Sequence, residues 1–494
     1  MGWLSGLNPT PSFPAYTGPY KVGSTDVEIP VTDLESPSPA PSKDIPTVAF
    51  RVFYPCNADS QQRAVRWIPS PQREYLGAYA RFLGANSAFS QIFSLLPQLL
   101  NYVSIPVHRN ADVLEPPTQS KKWPVMVFSH GLGGSRNAYS HLVGSLASHG
   151  IVVVAPDHRD GSSPASFIHS ADGKVARRVE YKKLAHNAST EVYEGRDEQL
   201  RIRLWELGLI HDAIQSVEEG RAPQNVAGDG GNVLRSLSNK LDVRKPGSIS
   251  FAGHSFGAAT MIQFVKSVSY LSGARDPAYK PLFTPSMDSS IVHQITPASP
   301  VILLDLWTLP IQSPATAWLR AKPMPCYSSP DGGSNLLAIL SEAFYKWSSN
   351  LQDTKRIVAK PSGSDVSGPH IFYPIASAHL SQSDFGILFP WVTTKVFGAK
   401  EPERVLKLNV RAILQVLRNS HIEVANTSAA DLELEGAPGV TQDERILVTE
   451  KDSVRGWISL STDSSAAPAK TSKGPSDAVM EGEVLGEMVG TGRE

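Results

Sequence analysis

Residues 247–264 read Gly247-Ser-Ile-Ser-Phe-Ala-Gly-His-Ser-Phe-Gly-Ala-Ala-Thr-Met-Ile-Gln-Phe264. A serine between two glycines is weak evidence by itself, because a helix-capping serine can carry the same neighbours. Context makes the stretch informative. Ser248–Ala252 has the pattern of a buried strand, and Ala258–Val268, opening on the small residues Ala258-Ala259-Thr260, that of a helix. Strand, sharp turn and helix in that order are the local requirement of a nucleophile elbow. There Gly253 and Gly257 must be small so that strand and helix can pass closely. The Ser255 hydroxyl then stands at a helix N-terminus, where developing negative charge is favoured.

Working outward, short apolar runs alternate with stretches of helical spacing. Pro124–Ser129, Ile151–Ala155 and Pro300–Asp305 have the continuous apolar character of strands buried on both faces. Asn137–His149, Gln199–Glu219 and Val405–Leu417 have the helical period. The order predicts an α/β protein with a mostly parallel sheet and helices on both faces. Pro46–Pro55 alternates as an early, half-exposed strand, and a further strand is expected around Val22–Val31. The expected organisation is an extended arm over 1–42 and a catalytic domain over 43–440, with insertions at about 221–246 and 271–298. A polar, disordered tail over 441–494 completes it.

The bulk numbers exclude more than they assign. A net charge of -1 with 19% charged residues gives no electrostatic footprint for nucleic acid. Two cysteines, Cys56 and Cys326, do not make a disulfide framework. The first residues lack a basic, apolar leader. They also carry Gly6 where a myristoylation pattern needs Ser or Thr. No apolar run reaches the ~18 residues of a membrane span. The expectation is a soluble, cytoplasmic protein.

An acyl-transfer site needs further parts. The strand Pro124–Ser129 runs into His130-Gly131-Leu132-Gly133, a loop whose glycines let backbone amides point inward. The expected oxyanion donors are the amides of Leu132 and Phe256, with His130 and Gly131 supporting the loop. Asp305 closes a buried strand, where a carboxylate is costly unless it orients an imidazole; Asp157 also ends a strand but precedes the serine. The order serine, acid, histidine makes His293, His370, His379 and His421 the candidate bases. His293 precedes the acid and His421 follows the closing helix, which leaves His370 and His379. His379 lies in the small-residue loop Ala376-Ser-Ala-His379, an accessible perch for a base. The histidines show no zinc-type spacing, so neither metal nor cofactor is expected.

With these residues in place, the chain resembles the platelet-activating factor acetylhydrolases of the plasma and intracellular type II group, calcium-independent phospholipases A2. The resemblance runs from about Ser12 to Ser420. It is carried by Pro14-Ala-Tyr-Thr-Gly-Pro-Tyr20, Phe128-Ser-His-Gly-Leu-Gly133, Gly253-His-Ser-Phe-Gly257, Leu304-Asp-Leu-Trp307 and the His379 segment. It implies an α/β-hydrolase fold with Ser255 as nucleophile, Asp305 as acid and His379 as base. It also implies a phospholipid substrate with a short sn-2 acyl ester. The separation of Ser255 and Asp305 exceeds the family's pattern, as an insertion near 271–298 would produce. The resemblance further implies a peripheral membrane contact through Ile92, Phe93, Leu96, Leu99 and Leu100, with Phe389 and Trp391 as a second patch. The rival for that patch is ordinary core packing. Two other functional readings fit the fold: a carboxylesterase of soluble esters, and a non-catalytic lipid-binding scaffold.

Overall fold

The computed structural model describes residues 11–82, 100–221, 223–228, 230–273, 276–434, 443–450 and 453–462. Its centre is a twisted sheet. The strands are β1 (Lys21–Pro30), β2 (Thr47–Cys56), β3 (Trp123–Ser129), β4 (Val152–Pro156) and β5 (Ser250–His254). They continue with β6 (Val301–Leu304), β7 (Leu336–Ile339), β8 (His370–Pro374) and β9 (Trp457–Ser459). Their spatial order is β9-β8-β7-β6-β5-β3-β4-β2-β1, and the short pair His108–Arg109 lies beyond β1. The block from β8 to β4 is parallel, and antiparallel pairings close both ends.

Alternation along the strands explains the layers. Val125 and Val127 of β3 enter one apolar cluster while Met126 and Phe128 enter the other. The first cluster packs under α3 (Thr190–Glu218) and α4 (Phe256–Ser269); the second packs under α2 (Ser140–Ser148) and α6 (Pro402–Asn419). A parallel sheet covered on both faces is what continuous apolar strands require. This is the α/β-hydrolase arrangement. The strand order reverses at β3, whose neighbours are β4 on one side and β5 on the other. A crevice at the carboxyl ends of β3 and β5 is therefore the expected ligand site.

The ends of the chain depart from expectation. β2 is buried along its whole length rather than half exposed. Its charged member, Arg51, pairs with Asp26 of β1 at 2.5 Å, and Tyr54 donates to the Ala111 carbonyl at 2.8 Å. The arm is thus part of the sheet, with all ten residues of β1 in register on β2. At the other end, Trp457–Ser459 pairs antiparallel with β8 and Trp457 is buried, so this part of the tail is ordered edge strand. The long helix α3 begins at Thr190, nine residues before the apolar period starts, capped by the Ser189 hydroxyl accepting from Val192 N. None of the described helices is long and apolar enough to cross a membrane.

Candidate active site

Ser255 lies between β5 and α4 with φ 56 and ψ −116, a backbone state rarely adopted by a residue with a Cβ. The glycines on either side are required by contact. A Cβ on Gly253 would lie 2.4 Å from the Gly257 backbone, and one on Gly257 would lie 2.0 Å from the Ser129 carbonyl oxygen. The turn is held by Ser255 N donating to Leu304 O at 2.8 Å. Neighbouring β6 then ends in Asp305, itself at φ 43. Two strained non-glycine residues side by side at strand ends mark a functional site.

Asp305 is fully buried. Its Oδ1 accepts from Ser341 N at 2.5 Å, and its Oδ2 accepts from His379 Nδ1 at 2.9 Å. The remaining ring nitrogen of His379 is thereby left as the proton acceptor. The imidazole is sandwiched between Phe344, stacked at 4.6 Å, and His254, stacked at 4.3 Å. Among the described hydrogen bonds none joins His379 to the Ser255 hydroxyl; such bonds commonly tighten only with substrate bound. The other candidate bases lie elsewhere. His293 and His421 are exposed, and His370 begins β8.

The loop after β3 faces the elbow closely enough that a Cβ on Gly131 would meet Ser255 Cβ at 3.0 Å. His130 is hydrogen-bonded within this loop and to the chain after β4. Its Nε2 accepts from His158 N at 3.3 Å, so Nδ1 carries the proton toward Gly131 O at 2.9 Å. Burial, then the Arg203 charge, pushes its pKa down to about 4, so it stays neutral. Gly131 N donates to the Tyr139 hydroxyl at 3.1 Å, and Gly133 N to Ser162 O at 2.8 Å. Among the described hydrogen bonds, the amides of Leu132 and Phe256 have no acceptor.

Beneath this loop is a feature that the pattern of apolar residues did not disclose. Arg203 of α3 is fully buried and pairs with buried Asp160 at 2.7 Å. Its Nη1 donates to His130 O at 2.9 Å and its Nη2 to the Ser162 hydroxyl at 2.6 Å. The guanidinium carbon lies 4.3 Å from the Phe256 ring centroid. One side chain therefore grips both the loop and the first residue of α4. Asp157, by contrast, is bound to Arg136, away from the serine.

His254, Asp305 and His379 also form a cluster with ligand atoms within 4.8 Å of one another. One nitrogen of each ring is committed to protein: His379 Nδ1 binds Asp305 and His254 Nδ1 binds Tyr139. That is the bonding of an oriented base. Of the expected lipid-contact residues, Ile92, Phe93, Leu96 and Leu99 lie outside the described residues. Leu100 is a correction: it is 1% exposed and packs with Val103 and Ile105 in the core. Phe389 is likewise buried, because it ends the short helix Asp384–Leu388 and packs on Phe385. Trp391 is 62% exposed.

Comparison with known proteins gives the family. The family model described as "Platelet-activating factor acetylhydrolase, isoform II" matches residues 5–436. A Schizosaccharomyces pombe protein named "Putative phospholipase A2" is 28% identical over 85% of this chain and 94% of its own. The platelet-activating factor acetylhydrolase of Gallus gallus is 25% identical over 82% of each chain. That of Cavia porcellus is 32% identical over 51% of this chain and 52% of its own. With the match covering most of its length, the chain belongs to the platelet-activating factor acetylhydrolase, isoform II family.

Proposed function

We propose that the protein is a calcium-independent serine esterase that hydrolyses the short sn-2 acyl ester of phospholipids of the platelet-activating factor type. The observation that carries this reading is the hydrogen-bonded pair His379–Asp305 beside a strained serine at the switch point of the sheet. His379 takes the proton of Ser255 as its oxygen attacks the ester carbonyl, and Asp305 holds the imidazole and its charged form. The Leu132 and Phe256 amides, having no acceptor among the described residues, receive the tetrahedral oxyanion; each such donor is worth about 10²–10³ in rate. Protonation by His379 releases lysophospholipid. Water activated by the same histidine then frees the acyl group from Ser255.

Trp391, on α5 (Pro390–Phe397) just past the His379 segment, is the exposed apolar residue best placed to rest on a lipid surface. The free, buried Cys56 and Cys326 suit a reducing, cytoplasmic setting. The test compares purified protein on sn-2 acetyl and long-chain phosphatidylcholine, with chelator present and vesicles present or absent. Preferential release of acetate in chelator supports the reading. Turnover confined to water-soluble esters would assign the triad to a general carboxylesterase, and no turnover at all would favour the lipid-binding scaffold.

A further inference from the structure

His254, the residue before the nucleophile, makes contacts that the reaction scheme above does not use. Its ring is buried and stacks on His379 at 4.3 Å with 29° between the planes. Its Nδ1 lies 2.7 Å from the Tyr139 hydroxyl. Its Nε2 has no hydrogen-bond partner yet lies 4.0 Å from Asp305 Oδ2, the same oxygen that receives His379. A buried, unmatched ring nitrogen is costly and asks for an explanation.

The hydrogen bonds around Tyr139 fix the state of this imidazole. The hydroxyl accepts the Gly131 amide, so its own proton goes to His254 Nδ1. Nδ1 is then an acceptor and Nε2 carries the hydrogen. The polar groups facing the ring are Tyr139, Asp305 and His379, and among the described residues no carboxylate other than Asp305 lies within ion-pair distance of it. Burial first, then the neighbouring His379, holds its pKa well below the ordinary histidine range against a pull from the His379 backbone. The His254 ring therefore stays neutral.

We propose that His254 is a positioning residue for the base. Resting on the triad assignment above, it braces one face of His379 and sets an N–H dipole 4.0 Å from Asp305 Oδ2, beyond hydrogen-bond length but within reach of the carboxylate's charge. That N–H draws on the carboxylate that His379 relies on and so restrains the basicity of the imidazole. Through Tyr139 the same side chain is tied to the oxyanion loop, so base and loop share one support.

The test is the pH profile of kcat/KM for wild type, His254→Phe, His254→Gln, Tyr139→Phe and the pair Tyr139→Phe/His254→Phe. Phe keeps a ring against His379 but removes the N–H. Its acidic limb should move up by about half a unit, with kcat several-fold lower, as expected for losing one N–H dipole beside the carboxylate. Gln restores an N–H and should return the limb toward wild type. The double variant should shift no further than His254→Phe alone, because the two side chains act in series. An unmoved limb in a folded His254→Phe protein overturns the proposal, as does full additivity in the double variant. His379→Ala distinguishes this from failure of the triad itself: if that variant keeps wild-type turnover, the base has been misassigned.

Discussion

On the nucleophile side of the site, a buried guanidinium reaches the oxyanion loop, a serine hydroxyl and an aromatic face at once, with Asp160 neutralising it. On the acid–base side, His379 is held by one hydrogen bond and two ring faces. The difference follows from what each half must do. Oxyanion donors work when they are fixed before charge develops, so a dense polar network beneath them is useful. A base must carry a proton between two partners, and stacking restrains its plane without fixing every direction. The nucleophile half should therefore be the stiffer, and damage to it should cost stability as well as rate.

Four substitutions break or sharpen that contrast. Ser255→Ala should lower kcat by about 10⁶, the loss typical of removing a triad nucleophile. Steady-state hydrolysis of an sn-2 acetyl phospholipid measures it, and KM should hardly change. Asp305→Asn should cost about 10⁴ in kcat, since the amide can donate and would favour the wrong imidazole tautomer. Arg203→Met strands Asp160 in the interior and should lower unfolding free energy by about 3–5 kcal/mol in chemical denaturation. Phe344→Leu takes the aromatic face from His379 while keeping this fully buried site filled. Its effect on kcat should be at most about tenfold, in line with about 0.5–1.5 kcal/mol for an aromatic pair, and it should cost less stability than the Arg203 change. The reverse ranking of these last two would break the contrast.

A subtler probe sits on the nucleophile helix itself. Lys266 of α4 is 1% exposed, and its ammonium donates to the Arg320 and Lys322 carbonyls at 3.2 and 2.6 Å. Burial pushes its pKa down to about 7, against about 10.4 in the unfolded chain. Between those values the unfolded state binds more protons, so native stability should rise as pH rises. The cost of the buried ammonium is fully present below about pH 7. Lys266→Met should thus be most stabilised relative to wild type near neutrality, with the gap closing by pH ~10. Denaturant midpoints across that range decide it.

Much of this was legible because strands buried on both faces advertise themselves as unbroken apolar runs. β3 and β6 lie within a residue of the expected bounds and β5 within two, which sets Ser255, the glycine loop and Asp305 at strand ends. His379 came from chain order and a small-residue loop. What stayed hidden depends on contacts distant in sequence. Nothing local in Lys21–Pro30 names β2 as its partner, and the three residues Trp457–Ser459 are too short a run within a polar stretch to read as a strand until β8 offers an edge. The first turns of α3 carry Glu191, Glu194, Arg196 and Asp197, which mask the helical period although Ser189 caps it. Arg203, Tyr139 and His254 lie far apart in the chain and meet only once the sheet has formed. Leu100 and Phe389 show the converse: an apolar face in sequence does not say whether protein or lipid will cover it.

The most direct measurement is to mix the protein with an sn-2 acetyl phospholipid, quench in acid during the first turnovers, and map the added mass by peptide sequencing. Acetyl should appear on the peptide containing Ser255 at near-stoichiometric level and be absent from Ser255→Ala. Acetyl on another residue, or hydrolysis without any trapped acyl-protein, would contradict the assignment.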